Sequence, residues 1–307
     1  MDSRTLRGNL QLLVTAAIWG FGFIAQQFGA QALPPFSFNA CRFALGSTSL
    51  LPLIVLSGWN DPAMRRARAA SRRLSIRGGL LNGGVMFLAA WLQQAGIAET
   101  TAGQAAFLTG LYILFVPLLG IFMHHRVPLT TWCAGMLALV GLYLLSVRED
   151  LSISRGDAFE MAGAVFWALH ILCIDAYVKR TDPLELSFWQ FAFCALFSVG
   201  TALFLERGGF MRIGDALIPI LYCGVVSVGL AYTLQVVAQK DVIPSHTALI
   251  LSMETVFATL GGAVVLGENL GLRGYTGCAL MFSGMILAQW HGLRGGTRPT
   301  DVRRRSA

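Results

Sequence analysis

The stretch IPSHTALILSMETVFATLGGAVVLGE, residues 243–268, decides how the rest of this chain is read. It is almost wholly apolar and long enough, at about 1.5 Å per helical residue, to cross a hydrocarbon core of about 30 Å. A single carboxylate, Glu254, lies near its middle. A charge at that depth costs roughly 3 kcal/mol on insertion scales, so it turns towards a partner or an interior cavity. Two readings follow. Glu254 either works in a polar path through the membrane, or it caps a loop or bonds a neighbouring helix.

Composition extends that reading to the whole chain. Hydrophobic residues make up 55% and charged residues 13%, about half the charged share of a soluble domain, and the mean hydropathy is +0.62. Water cannot cover so apolar a surface, and the expected class is an all-α polytopic membrane protein. The net charge of +7 does not point to nucleic acid. The arginines sit in short gaps and tails between apolar runs, where they set topology. Cys41, Cys133, Cys173, Cys194, Cys223 and Cys278 all fall inside apolar runs with no metal-ligand spacing, which reads as small buried hydrophobes. No cofactor is expected.

Runs of about 20 apolar residues number ten. They cover 9–28, 35–57, 77–97, 101–123 and 128–147, then 157–178, 184–205, 213–236, 243–266 and 272–292. Arg4 and Arg7 precede the first run as in a signal peptide, but no convincing cleavage site follows, and the run is kept as a retained helix. The gap 58–77 carries Arg65, Arg66, Arg68, Arg72, Arg73 and Arg77, spaced as in a short interfacial helix at the lipid headgroups. With the N-terminus inside, 17 arginines and lysines lie on the inner side and 5 on the outer, with Arg42 alone inside a span. That bias places both termini in the cytoplasm.

The chain also repeats. Trp19 aligns with Trp167, Pro35 with Pro183 and Phe43 with Phe191. Beyond the arginine-rich gap the offset changes: Leu92 and Gln93 fall on Leu234 and Gln235, Ala106 on Ala248, Tyr112 on Glu254 and Gly120 on Gly262. Each unit holds five spans, so the second enters the membrane inverted. The expected organisation is a cytoplasmic N-terminus (1–8), a first repeat (9–147), a linker (148–156), a second repeat (157–292) and a basic cytoplasmic tail (293–307). Two inverted five-helix repeats are an architecture of secondary transporters, with the site near the midplane between them.

Three segments carry a family resemblance. Ile18-Trp19-Gly20 with Phe23-Ile24 resembles the first-helix signature of the drug/metabolite transporter superfamily, EamA type. Cys41-Arg42-Phe43-Ala44 resembles its second-helix motif. Met253-Glu254-Thr255-Val256-Phe257-Ala258, closing on Leu266-Gly267-Glu268, is similar to its ninth-helix motif, with Thr255 where the family commonly has proline. A threonine there can bond a backbone carbonyl and bend its helix mildly. The resemblance spans about residues 9–292. It implies ten helices around a central cavity and movement of small metabolites, often outward, without fixing one substrate.

The candidate site residues are Trp19, Gln26, Arg42, Gln93, Trp167, His170 and Glu254. Trp19 lies about ten residues, roughly 15 Å, into its span, and Trp167 is as deep from the other side. Tryptophans at mid-depth are unlike interfacial belt residues. They form either an aromatic wall for a substrate or ordinary helix packing. Thr15, Trp19, Gly22 and Gln26 share one helix face and are expected to line the path. Arg42 has three readings: snorkelling outward, a fork for a substrate carboxylate or phosphate, or an ion pair with an acid on another helix. Gln93, Gln94 and Gln235 can bind substrate or knit helices. His170 either titrates near neutral pH or holds a fixed hydrogen bond. Asp175 is expected to pair with Lys179 at i, i+4, and Gly79, Gly83, Gly261 and Gly262 to let helices approach closely.

No phosphate-binding loop and no Ser-His-Asp or HExxH grouping occurs, which speaks against an ATPase and lowers an enzyme reading. The expected function is a secondary transporter in a bacterium-like cytoplasmic (inner) membrane. It moves a small polar or amphipathic metabolite, an amino acid or related compound favoured, by alternating access and in the export direction. Two modes stay open: proton exchange through Glu254, or facilitative movement without coupling. The expected partners are a small-molecule substrate and membrane lipid, with no nucleic acid, in a monomer or homodimer. The alternative is a membrane-embedded enzyme or a lipid flippase-like protein.

Overall fold

The computed structural model describes residues 3–123, 125, 127–146, 154–266 and 271–294. Arg126, Arg148, Ser152, Gly267, Glu268 and the tail beyond Arg294 lie outside the described residues. The described residues fold into helices joined by short turns. We label them α1 (Ser3–Ala32), α2 (Pro35–Asn60), α3 (Pro62–Ile97), α4 (Ala102–Phe122), α5 (Leu129–Ser146), α6 (Arg155–Val178), α7 (Pro183–Leu205), α8 (Ile213–Ala238), α9 (residues 244–266) and α10 (Gly271–Arg294). Among them α1, α2 (over Pro35–Ser57), α4, α6, α7 and α8 are long and apolar enough to cross a membrane. The chain is an all-α polytopic membrane protein.

Local chemistry places the helix starts. Proline opens α2, α3, α7 and α9, where its missing N–H costs nothing. Asp61 accepts from Ala63 N at 2.9 Å and Met64 N at 3.1 Å. At α6, Ser154 accepts from Asp157 N at 3.1 Å while Asp157 accepts from Ser154 N at 2.9 Å, a reciprocal cap. Capping at Asp61 overturns one expectation. The arginine-rich gap is no separate interfacial helix but the first half of α3, which runs unbroken from Pro62 to Ile97. Once Asp61 and Pro62 start it, no later proline interrupts it.

Two helices that read as continuous spans are tightened at mid-length. In α4 the helical bonding breaks at Leu111, just before Tyr112, and in α9 at Ser252 and Met253, just before Glu254. At both points i→i+3 bonds replace the α-helical pattern: Leu114 N donates to Leu111 O at 3.0 Å and Thr255 N to Ser252 O at 3.2 Å. Thr255 does not bend its own helix. Its hydroxyl donates to Ala106 O of α4 at 2.9 Å and ties the two broken helices together. In α8, residues Tyr222–Tyr232 wind as a π-helix, a rare conformation that gathers at functional places.

The helices pack α2 on α7, α5 on α10, α3 on both α6 and α7, and α1 on α8 and α9. Small residues set the approach. A Cβ on Gly83 would stand 2.7 Å from Gln190 O of α7, and one on Gly20 would stand 2.6 Å from Phe257 Cβ of α9. The six cysteines are free thiols. Cys194 and Cys223 are buried, but Cys133 is exposed on α5, contrary to the expectation that all six are buried. Cys133 shares the outward face of α5 with Met136 and Val140, where lipid rather than protein covers it.

Candidate functional site

A cavity of about 30 Å³ lies among α1, α2, α3, α4, α6, α8 and α9, and all seven candidate residues line it. Segments more than 200 residues apart in sequence thus converge on one point. The space holds about one water, so anything larger enters only when the surrounding helices separate.

Arg42 is 1% exposed, which excludes snorkelling. Its Nε donates to Asn39 Oδ1 at 2.8 Å and its Nη1 to Gln26 Oε1 at 2.7 Å. Its guanidinium stands 4.9 Å from the Phe43 ring centroid and 5.6 Å from that of Phe38. No carboxylate pairs with it among the described residues, which removes the ion-pair reading. Nη2 is buried and makes no hydrogen bond to the protein. A desolvated charge held by neutral amides and aromatic faces, with the Cys223 thiol beside it, is costly, and an anionic ligand would relieve that cost.

Glu254, 3% exposed, accepts from the Tyr112 hydroxyl at 2.9 Å. Residues aligned with each other in the sequence therefore meet at the centre, at the mid-helix breaks of α4 and α9. Phe43 and Phe191, another aligned pair, bring their rings to 6.5 Å. An aromatic group that sequence reasoning missed in part lines the same cavity as Arg42 and Glu254. Tyr232 of α8 has its ring 4.4 Å from Trp19, 5.8 Å from Trp167 and 6.1 Å from His170. Its position on the π-helical turn could not be read from periodicity.

The remaining candidates divide between lining and knitting. Trp19 Nε1 donates to Ser227 O at 3.4 Å, whereas Trp167 Nε1 is buried without a protein partner. Thr15 donates to Ala231 O at 3.1 Å, and Gly22 lies against Ser227 and Tyr222. That half of the α1 stripe therefore packs on α8 rather than lining the cavity. His170 shares a 3.0 Å bond with Gln190 Oε1 through Nε2, the fixed partner that the histidine reading allowed. Gln94 knits α3 to α1 by donating to Gln26 O at 3.0 Å. Lys179 and Asp175 pair at 2.8 Å, as their spacing predicts.

Gln93 leads to a second missed feature. Its Nε2 donates to Thr109 Oγ1 at 3.3 Å, and Thr109 in turn donates to Glu160 Oε2 at 3.0 Å. Glu160 is fully buried, and its Oε1 has no protein partner. Its place in an apolar run was the available signal, since an acid inside a span is seldom idle.

Comparison with known proteins gives the family and the fold. The pattern of the EamA-like transporter family matches residues 6–147 and again 154–290. An uncharacterized transporter of Archaeoglobus fulgidus is 29% identical over 289 residues, covering 92% of this chain and 86% of that protein. The threonine/homoserine exporter RhtA of Salmonella typhimurium is 29% identical over 161 residues, covering 49% of this chain and 52% of its own length. A crystal structure 17% identical in sequence superposes with a TM-score of 0.74, covering 97% of this chain and 100% of that one.

Proposed function

Starting from the fact that the chain belongs to the EamA-like transporter family and is a membrane transporter, we propose that it exports a small zwitterionic metabolite, an amino acid or related compound, by alternating access. The carrying observation is the cavity with an unneutralised guanidinium, Arg42, on one wall and a carboxylate, Glu254, on another. A substrate carboxylate meets the free Nη2 of Arg42, and its ammonium meets Glu254 and the faces of Trp19 and Tyr232, where cations are favoured. The name of the Salmonella typhimurium relative speaks for the same substrate class.

Residues 9–147 and 157–292 act as two inverted repeats, each of five helices. The packing supports this: α2 meets α7, α5 meets α10, and α3 meets α6 as α8 meets α1. The broken α4 and α9, joined by the Tyr112–Glu254 bond, form the hinge at which the repeats part to open the cavity on one side or the other. Glu254 takes up a proton in one access state and releases it in the other. Both termini lie in the cytoplasm of a cell with an inner membrane, in keeping with the charge bias, and the unit is a monomer or homodimer.

The test is flux of labelled threonine, homoserine and a panel of other amino acids from proteoliposomes, with and without a pH gradient. Saturable, gradient-dependent flux of at least one amino acid is expected. Absence of flux and of ligand stabilisation across the panel, with nucleosides or sugars active instead, overturns the substrate class.

A further inference from the structure

A second cleft, about 510 Å³ in volume, opens between the end of α2, the basic first half of α3 and the start of α7. We propose that it binds the phosphate headgroup of an anionic membrane lipid. Arg65, Arg68 and Arg72 line it, at positions i, i+3 and i+7 on one face of α3. The middle arginine builds the floor. Arg68 is 6% exposed, and its Nη1 donates to Ile54 O and to Ser57 Oγ, each at 2.9 Å. Its Nε stands 3.2 Å from Asp182 Oδ1 at the start of α7. Arg68 is thus committed to holding three helices together. Arg65 and Arg72 are exposed on either side of it and form no ion pair among the described residues. With the Arg68–Asp182 pair balanced, these two forks outweigh Glu185, the carboxylate that lines the cleft near Arg72.

The walls select a lipid over a free anion. Ile54 and Val55 complete the lining, and α2 turns Leu51, Leu53, Val55 and Leu56 outward, each more than 40% exposed. In a bilayer that surface meets acyl chains, so a phosphodiester held by Arg65 and Arg72 has its tails already against an apolar helix face. Basic pockets between helices at the inner membrane surface suit anionic headgroups, and a guanidinium binds phosphate oxygens two at a time. The site is separate from the central cavity, and its test does not depend on the transported substrate.

The experiment titrates the purified full-length protein in detergent with phosphatidylglycerol, phosphatidylcholine or inorganic phosphate, reading bound lipid by native mass spectrometry and thermal stabilisation. The variants are Arg65→Gln with Arg72→Gln, and Arg66→Gln with Arg73→Gln. The second pair removes the same charge from exposed positions that do not line the cleft, and neither pair touches Arg68. The expected result is one preferred phosphatidylglycerol, weakened about tenfold or more when both charge-assisted contacts go and retained in the Arg66/Arg73 pair. Equal weakening by the two pairs, equal binding of phosphatidylcholine, or equal stabilisation by inorganic phosphate overturns the proposal.

Discussion

Arg42 has its fork held in place by Asn39 and Gln26, so its remaining Nη2 is aimed before any ligand arrives. Lysine keeps the charge but not the planar fork. Arg42→Lys is expected to insert and fold yet to lose about tenfold or more in apparent substrate affinity, the worth of one charge-assisted bond of ~1.5–3 kcal/mol. Ligand-dependent thermal shift checks this, and unchanged binding returns Arg42 to a structural role. Glu254→Gln retains shape and can still accept from Tyr112, while removing the titration. The expected outcome is a folded protein whose flux no longer responds to a pH gradient. Wild-type flux with the wild-type pH response would make Glu254 a packing residue.

The elements depend on close approach at a few points. Gly20 sits where α1 crosses α9 beside Glu254: an added Cβ would stand 2.8 Å from both Glu254 O and Ala258 N. Gly20→Ala therefore forces the helices apart, at a cost of about 1–3 kcal/mol by overpacking, and disturbs the carboxylate as well as the fold. Gly22→Ala, two residues along, meets nothing nearer than 3.9 Å and serves as the control. Thermal unfolding in detergent should lower the midpoint for Gly20→Ala and leave Gly22→Ala near wild type. Equal midpoints would mean that the α1–α9 contact yields freely. The tie between α4 and α9 can be tested likewise. Thr255→Val removes the bond to Ala106 O while keeping the volume, and should destabilise by about 1 kcal/mol. A variant as stable as wild type would show that the tie contributes nothing.

For the whole molecule, orientation and access are the open quantities. The bias of 17 inner to 5 outer basic residues predicts that a cysteine replacing Ala69, exposed on α3, is shielded from impermeant reagents in intact cells. A cysteine replacing Ser152 should label. Labelling at position 69 from outside reverses the topology. The cavity of about 30 Å³ is too small to hold a metabolite. Passage of a metabolite therefore needs the lining helices to move apart, and under the alternating access proposed above they do so about the Tyr112–Glu254 contact.

Apolar periodicity, the arginine bias and the internal alignment are local or additive properties, and they were legible in the amino-acid sequence. They sufficed for the membrane class, for spans close to the observed helices, and for seven residues that all reach one cavity. A mid-span charge such as Glu254 or Arg42 is costly in lipid wherever the chain folds, so its sequence position alone marks it. Other features depend on which atoms meet across helices, and only the tertiary structure decided them. Gln26 of α1 rather than an acid reaches Arg42 from a neighbouring helix, beside the local bond to Asn39 one turn away on α2 itself. Thr255 bonds a neighbouring helix instead of its own because α4 lies within reach. Tyr232 joins the aromatic wall through a π-helical turn that no 3.6-residue period anticipates. Arg68 is buried among α2, α3 and α7 while Arg65 and Arg72 remain exposed, because one helix face of three arginines meets Ser57 and Asp182 only at its middle.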